Sequence, residues 1–294
     1  MTKGKLRAVE PQVAELSKPK MLVYGRAGVG KTWVSLDFPA VYYIDSEGGA
    51  ALPHYMEKLK ASGGVYLGPE NGGMSFDTLL EQVTLLASEK HHYKTLVVDS
   101  ISKIFASEIA MEASRLGDKN GFGADKKPAV RKMQQLVSKL PHLDMNVILI
   151  AHEAPQFGTD TKGERTEVGT TFDCWAKLEY ELHLCLQVRK QGESRVAQVK
   201  KSRLQEFPDG ATFPWSFAEF SKRYGSILER EPQGISVATP EQLSEFFSLL
   251  VSKNVPEETQ NKWLQSAGIL AFEDMPRERL SAAINYLKNQ KQGE

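Results

Sequence analysis

The segment Gly25-Arg26-Ala27-Gly28-Val29-Gly30-Lys31-Thr32 decides how the rest of this 294-residue chain is interpreted. It fits the pattern GxxxxGK[ST], in which glycines let consecutive backbone N–H groups turn toward phosphate oxygens. The strand-like run PKMLVYG precedes it, and the short helical run KTWVSLDF follows it. This context predicts a site for a nucleoside triphosphate, with Lys31 reaching the β- and γ-phosphates and the Thr32 hydroxyl binding Mg²⁺.

Acidic residues follow two further apolar strands. Asp99 ends the run KTLVVD, and a carboxylate at the tip of a neighbouring parallel strand can hold the Mg²⁺ ion together with Thr32. Asp45 and Glu47 end the run AVYYIDSE. We expect Glu47, the outer of the two, to orient or deprotonate the attacking water, with Asp45 as the alternative. Capping of the following helix is the other interpretation of these acids.

Polar side chains also follow two later strands. His152 comes directly after the apolar run NVILIA, where it can sense the γ-phosphate and relay its presence to the next loop; a structural histidine is the alternative. Lys201 and Arg203 belong to the run VKKSR at the end of a late strand. They can reach a γ-phosphate bound by an adjacent subunit, as arginine fingers do, unless they form an exposed and solvated strand end.

Apolar strands alternate with helices in the first half of the chain. Apolar spacing predicts helices over Ser75–Lys90 and Ile101–Leu116, and a third from Pro128 to about Leu140. Such alternation indicates an α/β fold in which a mostly parallel sheet is covered by helices on both faces.

The pattern changes after Ala151. Residues 153–171 are polar and aperiodic, which predicts a loop. Residues 178–188 alternate between apolar and polar, which predicts one half-buried antiparallel strand, and SRVAQVKKSR is its hairpin partner. We therefore expect antiparallel strands at the C-terminal edge of the sheet.

Four segments are expected along the chain. Thr239, Pro240 and Gln242 form a helix start with a capping box, and apolar stripes continue beyond it. The predicted segments are a flexible N-terminus (1–18), an ATPase-like core (19–225), a linker (226–238) and a small helical C-terminal module (239–294).

Composition narrows the class of protein. The chain is 41% apolar and 25% charged, as in ordinary globular proteins, and 37 basic residues balance 37 acidic ones, so any nucleic-acid contact must be local. No apolar run approaches the roughly 18 residues of a membrane span, and the N-terminus has no secretory apolar stretch. With only two cysteines, Cys174 and Cys185, a cytoplasmic protein without membrane contact is expected.

In this order, GRAGVGKT, YYIDSE, LVVDS, VILIAHE and VKKSR resemble the RecA-type ATPase core over roughly residues 19–224. Within that superfamily, the acid in IDSE and the late KxR pair resemble features of the branch that contains RecA and the DnaB helicases. The short core with the tail TPEQLSEFFSLL and KWLQSAGILAFEDMP resembles the phage RecA-core single-strand annealing proteins of the Sak group.

The resemblance implies ATP and Mg²⁺ as cofactors, and it implies single-stranded DNA and further copies of the chain, in a ring or filament, as partners. It makes Glu47 the catalytic glutamate, His152 the sensing residue, and Lys201 and Arg203 the fingers that act on a neighbour. Gly117–Lys127 and Glu153–Thr171 correspond to two mobile DNA loops. The side chains there that suit DNA contact are Phe122, Lys126, Lys127, Phe157, Lys162 and Arg165.

The expected function is therefore ATP-linked assembly on single-stranded DNA that promotes annealing and homologous recombination, in the host cytoplasm if the chain is phage-encoded. The tail is expected either to recruit a partner such as a single-strand-binding protein or to form a lid packed on its own core. Two alternatives remain open: a DnaB-type helicase or helicase loader, and an ATP-switched DNA-binding or adaptor module with negligible turnover.

Overall fold

A computed structural model of the chain describes residues 10, 16–121, 123–159, 163–233, 237–267, 269 and 271–289. The strands of this part of the chain form one sheet. In chain order they are β1 (Lys20–Gly25), β2 (Val41–Asp45), β3 (Val65–Leu67), β4 (Thr95–Asp99), β5 (Asn146–Thr159), β6 (Arg165–Phe172), β7 (Leu184–Gln191), β8 (Ser194–Ser202) and β9 (Thr212–Pro214). The helices are α1 (Lys31–Ser35), α2 (Pro53–Ala61), α3 (Phe76–Ser88), α4 (Ile101–Leu116), α5 (Lys126–Lys139), α6 (Leu178–Glu181), α7 (Phe217–Tyr224), α8 (Pro240–Ser252), α9 (Glu257–Ala267) and α10 (Arg277–Asn289).

The strand order is β3-β2-β4-β5-β1-β7-β8-β9, and β6 pairs with the outer part of β5. Neighbours from β3 to β7 run parallel, whereas β8 and β9 continue the sheet antiparallel. The predicted α/β fold, with a mostly parallel sheet and antiparallel strands at its C-terminal edge, is confirmed. Among the helices of the described ranges, none combines the length and apolarity needed to cross a membrane.

Helices cover both faces of the sheet because its central strands are apolar on both sides; all six residues of β1 are buried. On one face α3, α4 and α5 contribute Leu79, Ile104 and Met133 to a continuous core. On the other face α1, α2 and α7 pack through Val34, Leu59 and Phe220. The two layers hold the central strands rigidly, so the positions of their carboxyl ends are fixed.

The segment 153–171, which we expected to be a loop, is largely a β-hairpin. The outer part of β5 pairs with β6 from Glu153 opposite Phe172 to Thr159 opposite Arg165, with an irregularity between Gln156 and Phe157. The prediction was wrong because most of these residues are exposed or half-buried, so burial imposes no apolar period on them. The strands are defined by backbone pairing, which leaves no apolar pattern in the sequence.

The segment 178–188 also differs from the prediction of one continuous strand. Leu178 and Leu182 are buried at helical spacing around α6, and the strand begins only at Leu184. That strand, β7, runs parallel to β1 and antiparallel to β8, so its predicted direction was correct for one neighbour only.

Three smaller features were missed or misplaced. Helix α2 and the three-residue strand β3 were not predicted. Helix α5 begins at Lys126, two residues before Pro128, which occupies its first turn. The first turn needs no backbone donor, so a proline is tolerated there.

The C-terminal helices form their own apolar cluster. Thr239 accepts from Gln242 N, and the Gln242 side chain accepts from Thr239 N, so the predicted capping box is confirmed. Phe246 of α8 is fully buried and packs against Phe272, Leu280 and neighbouring residues of the cluster. Leu228, within the segment predicted as a linker, is instead buried in the core of the sheet domain.

A buried ion pair joins the C-terminal helices to α5. The Lys139 ammonium lies 2.8 Å from Asp274 Oδ1, and the Ser138 hydroxyl donates to Asp274 Oδ2 at 3.2 Å. Both charged side chains are at most 10% exposed. Two buried charges stabilise a contact only while both are present, because either one alone would be buried without compensation.

We therefore expect Asp274→Ala to lower the free energy of unfolding by about 3–5 kcal/mol, since it leaves the Lys139 ammonium buried and unpaired. Urea denaturation followed by tryptophan fluorescence measures this change. The exposed Glu278→Ala, on α10, is the control and should change stability by less than about 0.5 kcal/mol. Equal effects of the two substitutions would show that the ion pair contributes nothing special.

Candidate nucleotide site

The carboxyl ends of four adjacent strands meet at one edge of the sheet. Asp45 pairs with Asp99, which pairs with Ile150, and Gly25 pairs with His152. Because the four strands are parallel and in this register, residues far apart in sequence line one cleft of about 640 Å³. Its lining residues are Gly25, Arg26, Ala27, Gly28, Lys31, Thr32, Tyr43, Asp45, Glu47, Gly49, Ala50, Tyr55, Asp99, His152, Glu153, Ala154, Pro155, Glu167 and Thr170.

The loop from Gly25 to Gly30 requires glycine at two positions for different reasons. A side chain at Gly25 would meet the Val188 carbonyl oxygen at 2.2 Å, so β7 closes one side of the loop. Gly30 has φ 89° and precedes α1, a conformation that other residues adopt at a cost. The Trp215 indole N–H donates to the Gly30 carbonyl at 3.3 Å. The loop thus forms one wall of the cleft.

The Lys31 side chain is folded along the loop. Its ammonium donates to the carbonyls of Gly25 at 2.7 Å and of Arg26 at 2.9 Å. Burial lowers the pKa of Lys31, and the nearby carboxylates of Asp99, Glu47 and Glu153 oppose this shift. An ammonium with few water contacts, close to backbone N–H groups, is suited to phosphate oxygens.

Asp99 is the centre of a hydrogen-bonded group. Its Oδ2 accepts from the Thr32 hydroxyl at 2.5 Å and from the Tyr43 hydroxyl at 2.7 Å. Burial raises the pKa of Asp99, while these two hydroxyls lower it. A carboxylate and a hydroxyl in contact are the hard oxygen ligands that Mg²⁺ takes alongside phosphate, so the residues present fit a magnesium nucleotide.

Asp45 and Glu47, the two acids that the sequence did not separate, differ sharply in their surroundings. Asp45 is buried, and its carboxylate accepts from the backbone N–H groups of Glu47 at 2.9 Å, Gly48 at 2.8 Å and Ala50 at 2.9 Å. The Tyr66 hydroxyl adds a fourth bond at 3.1 Å. Asp45 is therefore committed to shaping the turn that carries Glu47.

Glu47 instead faces the cleft with a third of its side chain exposed. Its Oε1 accepts from the Ser100 hydroxyl at 2.8 Å and lies 2.8 Å from His152 Nε2. His152 Nε2 is also 3.3 Å from the Ser100 oxygen. The three side chains thus form a compact polar group beside Asp99. Glu47 and His152 line the cleft, whereas Ser100 is buried behind them.

The residues expected to contact DNA lie on two elements. Phe157 and Arg165 are on the β5–β6 hairpin, where the guanidinium carbon of Arg165 lies 4.1 Å from the centre of the Phe157 ring. Lys126 and Lys127 are exposed in the first turn of α5. Phe122 and Lys162 lie outside the described residues.

Lys201 and Arg203 do not join the cleft. The end of β8 pairs with Leu184 and Cys185 at the start of β7. This is the amino end of the parallel strands, whereas the phosphate loop follows their carboxyl end. The Lys201 ammonium donates to the Leu182 carbonyl and the Arg203 guanidinium to the Tyr180 carbonyl. Neither cation therefore lies near the phosphate loop of its own chain.

Three residues in or directly behind the cleft were not predicted as site residues. Tyr43 and Ser100 donate to the two central carboxylates, and Tyr55 lines both this cleft and a neighbouring one beside Gly28 and Gly30. The alternation of strand β2 could have identified Tyr43, because it lies two residues before Asp45 and so points to the same face. Nothing comparable in the sequence marks Tyr55.

The phosphate loop, the strand-end acids and the parallel strands that bring them together define a P-loop ATPase. A protein-family model described as "AAA domain" matches residues 17–206, which is more than half of the chain. The chain belongs to this AAA-domain family.

Individual proteins resemble the chain less clearly than the family model does. The chain is similar to the solved structure of the RadB recombinase, with 20% identity, a TM-score of 0.42, and coverage of 67% of this chain and 86% of that one. This similarity is low. A comparison with curated protein sequences finds no match.

Proposed function

We propose that the chain is a Mg²⁺-dependent ATPase that assembles on single-stranded DNA and promotes annealing and homologous recombination, as in the Sak group that its sequence resembles. One observation carries the proposal: β5 runs without a break from His152, in contact with Glu47, into the hairpin with the exposed Phe157. Strand β5 thus connects Glu47 and His152 in the cleft to an aromatic side chain suited to stacking on bases.

The residues of the cleft divide the work of hydrolysis. The loop N–H groups and Lys31 would hold the triphosphate, and Thr32 and Asp99 would hold Mg²⁺, which would supply positive charge beside the phosphates. Glu47 accepts the proton of the attacking water or orients it, and Ser100 and His152 fix the carboxylate in position. The contact between His152 and Glu47 supports a role for His152 in sensing the γ-phosphate.

The hairpin supplies the DNA contacts. Phe157 is 50% exposed although it is aromatic, and Arg165 covers one face of its ring. A base that stacked on this pair would gain both the aromatic contact and a cation close to its phosphate. Lys126 and Lys127 add positive charge at the start of α5, which provides a local basic patch on a chain that is neutral as a whole.

Assembly accounts for the position of Lys201 and Arg203. They lie at the sheet edge opposite their own cleft, so a neighbouring copy is the only place where they could meet a γ-phosphate. Nucleotide bound between copies would then link turnover to assembly. We further propose that the C-terminal helices bind a single-strand-binding protein.

The decisive test measures the ATPase rate of the purified chain with and without single-stranded DNA, together with annealing of complementary strands. The proposal expects a higher rate with single-stranded DNA and faster annealing with Mg-ATP. Unwinding of a forked duplex would favour a DnaB-type helicase, and annealing without turnover would favour an ATP-switched DNA-binding module. A turnover that ignores DNA would contradict the proposal.

Phe157→Ala is expected to weaken the binding of single-stranded DNA roughly 5- to 150-fold, because stacking on an aromatic side chain is worth about 1–3 kcal/mol per base. Fluorescence anisotropy with a labelled oligonucleotide and a Mg-ATP analogue measures the affinity. Val168→Ala is the matched control, since Val168 is an equally exposed apolar residue of the same hairpin, at 57%. Losses of equal size in both variants would argue against stacking.

A further inference from the structure

A buried amide lies beside the phosphate loop and takes no part in the proposed reaction. Gln187 is on β7, paired with Tyr24, the residue that precedes Gly25. Its side chain is only 3% exposed. A buried amide is stable only when both its oxygen and its nitrogen have partners. The identity of those partners shows what Gln187 connects.

Gln187 bonds to polar side chains of β5, of β6 and of its own strand, β7. Its Nε2 donates to Glu153 Oε2 at 3.0 Å and to the Thr170 hydroxyl at 2.7 Å. Its Oε1 accepts from Arg189 Nε at 3.1 Å and Nη2 at 2.7 Å. Glu153 and Thr170 are the roots of the two hairpin strands, so Gln187 holds both of them against β7.

Glu153 continues this connection to the phosphate loop. Its other oxygen, Oε1, lies 3.3 Å from Arg26 Nε. The carbonyl of Arg26 in turn accepts from the Lys31 ammonium at 2.9 Å. Side chains thus connect the residue that reaches the phosphates with the root of the hairpin, on the side of β5 away from His152.

We propose that Gln187 is a positioning residue that couples nucleotide occupancy of the phosphate loop to the geometry of the β5–β6 hairpin through Glu153. The inference rests on the proposed function, because it takes a triphosphate to be the ligand of the loop. It adds a second connection to the one through His152.

The physical basis is the exchange of Lys31 partners. Phosphate oxygens draw the ammonium away from the carbonyls of Gly25 and Arg26, which changes the hydrogen bonding of the Arg26 peptide. Arg26 is tied to Glu153, and Glu153 shares Gln187 with Thr170. A shift of the loop therefore reaches both hairpin strands at their roots.

The test is hydrogen exchange of residues 153–159 and 163–172 in the full chain, with and without a non-hydrolysable ATP analogue and Mg²⁺. In Gln187→Glu, a second carboxylate faces Glu153 while the acceptor for Arg189 is kept. Gln198→Glu is the matched control, because Gln198 is paired with Gln187 and accepts from the same Arg189. In the double variant Glu153→Gln/Gln187→Glu the hydrogen bond can form with donor and acceptor exchanged.

We expect the nucleotide to slow exchange of the wild-type hairpin and of Gln198→Glu. In Gln187→Glu this difference should fall at least fivefold while nucleotide affinity stays within twofold, and the double variant should regain at least half of it. Thr170→Val, which removes the other partner, should reduce the difference too and serves if Gln187→Glu folds poorly.

A full wild-type difference in Gln187→Glu would overturn the inference, and so would a wild-type hairpin that ignores bound nucleotide. Nucleotide affinity is measured first on the same samples. A wild-type chain that does not bind Mg-nucleotide would instead overturn the proposed function, so the two failures are distinct.

Discussion

Lys31→Met should abolish nucleotide binding at ordinary concentrations, weakening the affinity for Mg-ATP by about 10²- to 10⁴-fold. The ammonium is expected to make two charged hydrogen bonds to phosphate, each worth about 1.5–3 kcal/mol, and about 1.4 kcal/mol corresponds to a tenfold change. Methionine keeps the apolar stem that lies along the loop, so the fold should persist. Titration with a fluorescent ATP analogue measures the affinity.

Lys60→Met is the control for this experiment, since Lys60 is an exposed residue of α2. Its nucleotide affinity should match that of the unchanged chain, and thermal unfolding should show both variants folded. An unaltered affinity in Lys31→Met would remove the basis for the proposed ATPase and for the coupling through Gln187.

Glu47→Gln should reduce ATP turnover by about 10²- to 10⁴-fold and change nucleotide affinity by less than about threefold. The amide keeps the size of the side chain and an oxygen for the Ser100 hydroxyl, but it cannot take a proton from water. Single-turnover hydrolysis measures the chemical step, and equilibrium binding measures the affinity. If annealing persists in this variant, ATP acts as a switch that hydrolysis only resets.

Asp45→Asn separates the two acids by a different measurement. The Asp45 carboxylate accepts from three backbone N–H groups and Tyr66, whereas an asparagine offers only one acceptor oxygen. We expect this variant to lose about 1–3 kcal/mol of stability, and Glu47→Gln to lose less than about 0.5 kcal/mol. The reverse pattern, with Asp45→Asn stable and inactive and Glu47→Gln active, would assign the water-activating role to Asp45.

Much of the fold could be predicted because burial on two faces leaves a strong pattern. The continuous apolar runs of β1, β4 and the inner part of β5 identify strands covered by helices, and the spacing within α3 and α4 identifies the helices. The hairpin of residues 153–172 was missed because it lacks this constraint. Its two strands bond to each other through backbone groups. Backbone hydrogen bonds do not require a particular sequence of apolar and polar side chains.

The candidate site was predictable in part for a related reason. Strands that run parallel must present their carboxyl ends together, so the sequence alone was enough to group Asp99, Glu47 and His152 with the phosphate loop. The partners that orient them could not be predicted, because Tyr43 and Ser100 act through register and side-chain direction. The roles of all these residues, and of Lys201 and Arg203, stay predictions until they are tested.

What the sequence by itself determined is the chemistry at the first loop and the parallel core around it, because both depend on local spacing: glycines before a lysine and threonine, and apolar runs of strand length. What only the tertiary structure decided is which side chains that chemistry can use. In the folded chain Asp45 is buried under the turn it supports, and Glu47 contacts His152. Lys201 and Arg203 lie at the opposite end of the strands from the cleft, and Gln187 lies between the phosphate loop and the hairpin. Those outcomes depend on strand direction and pairing between distant segments, which no local pattern contains.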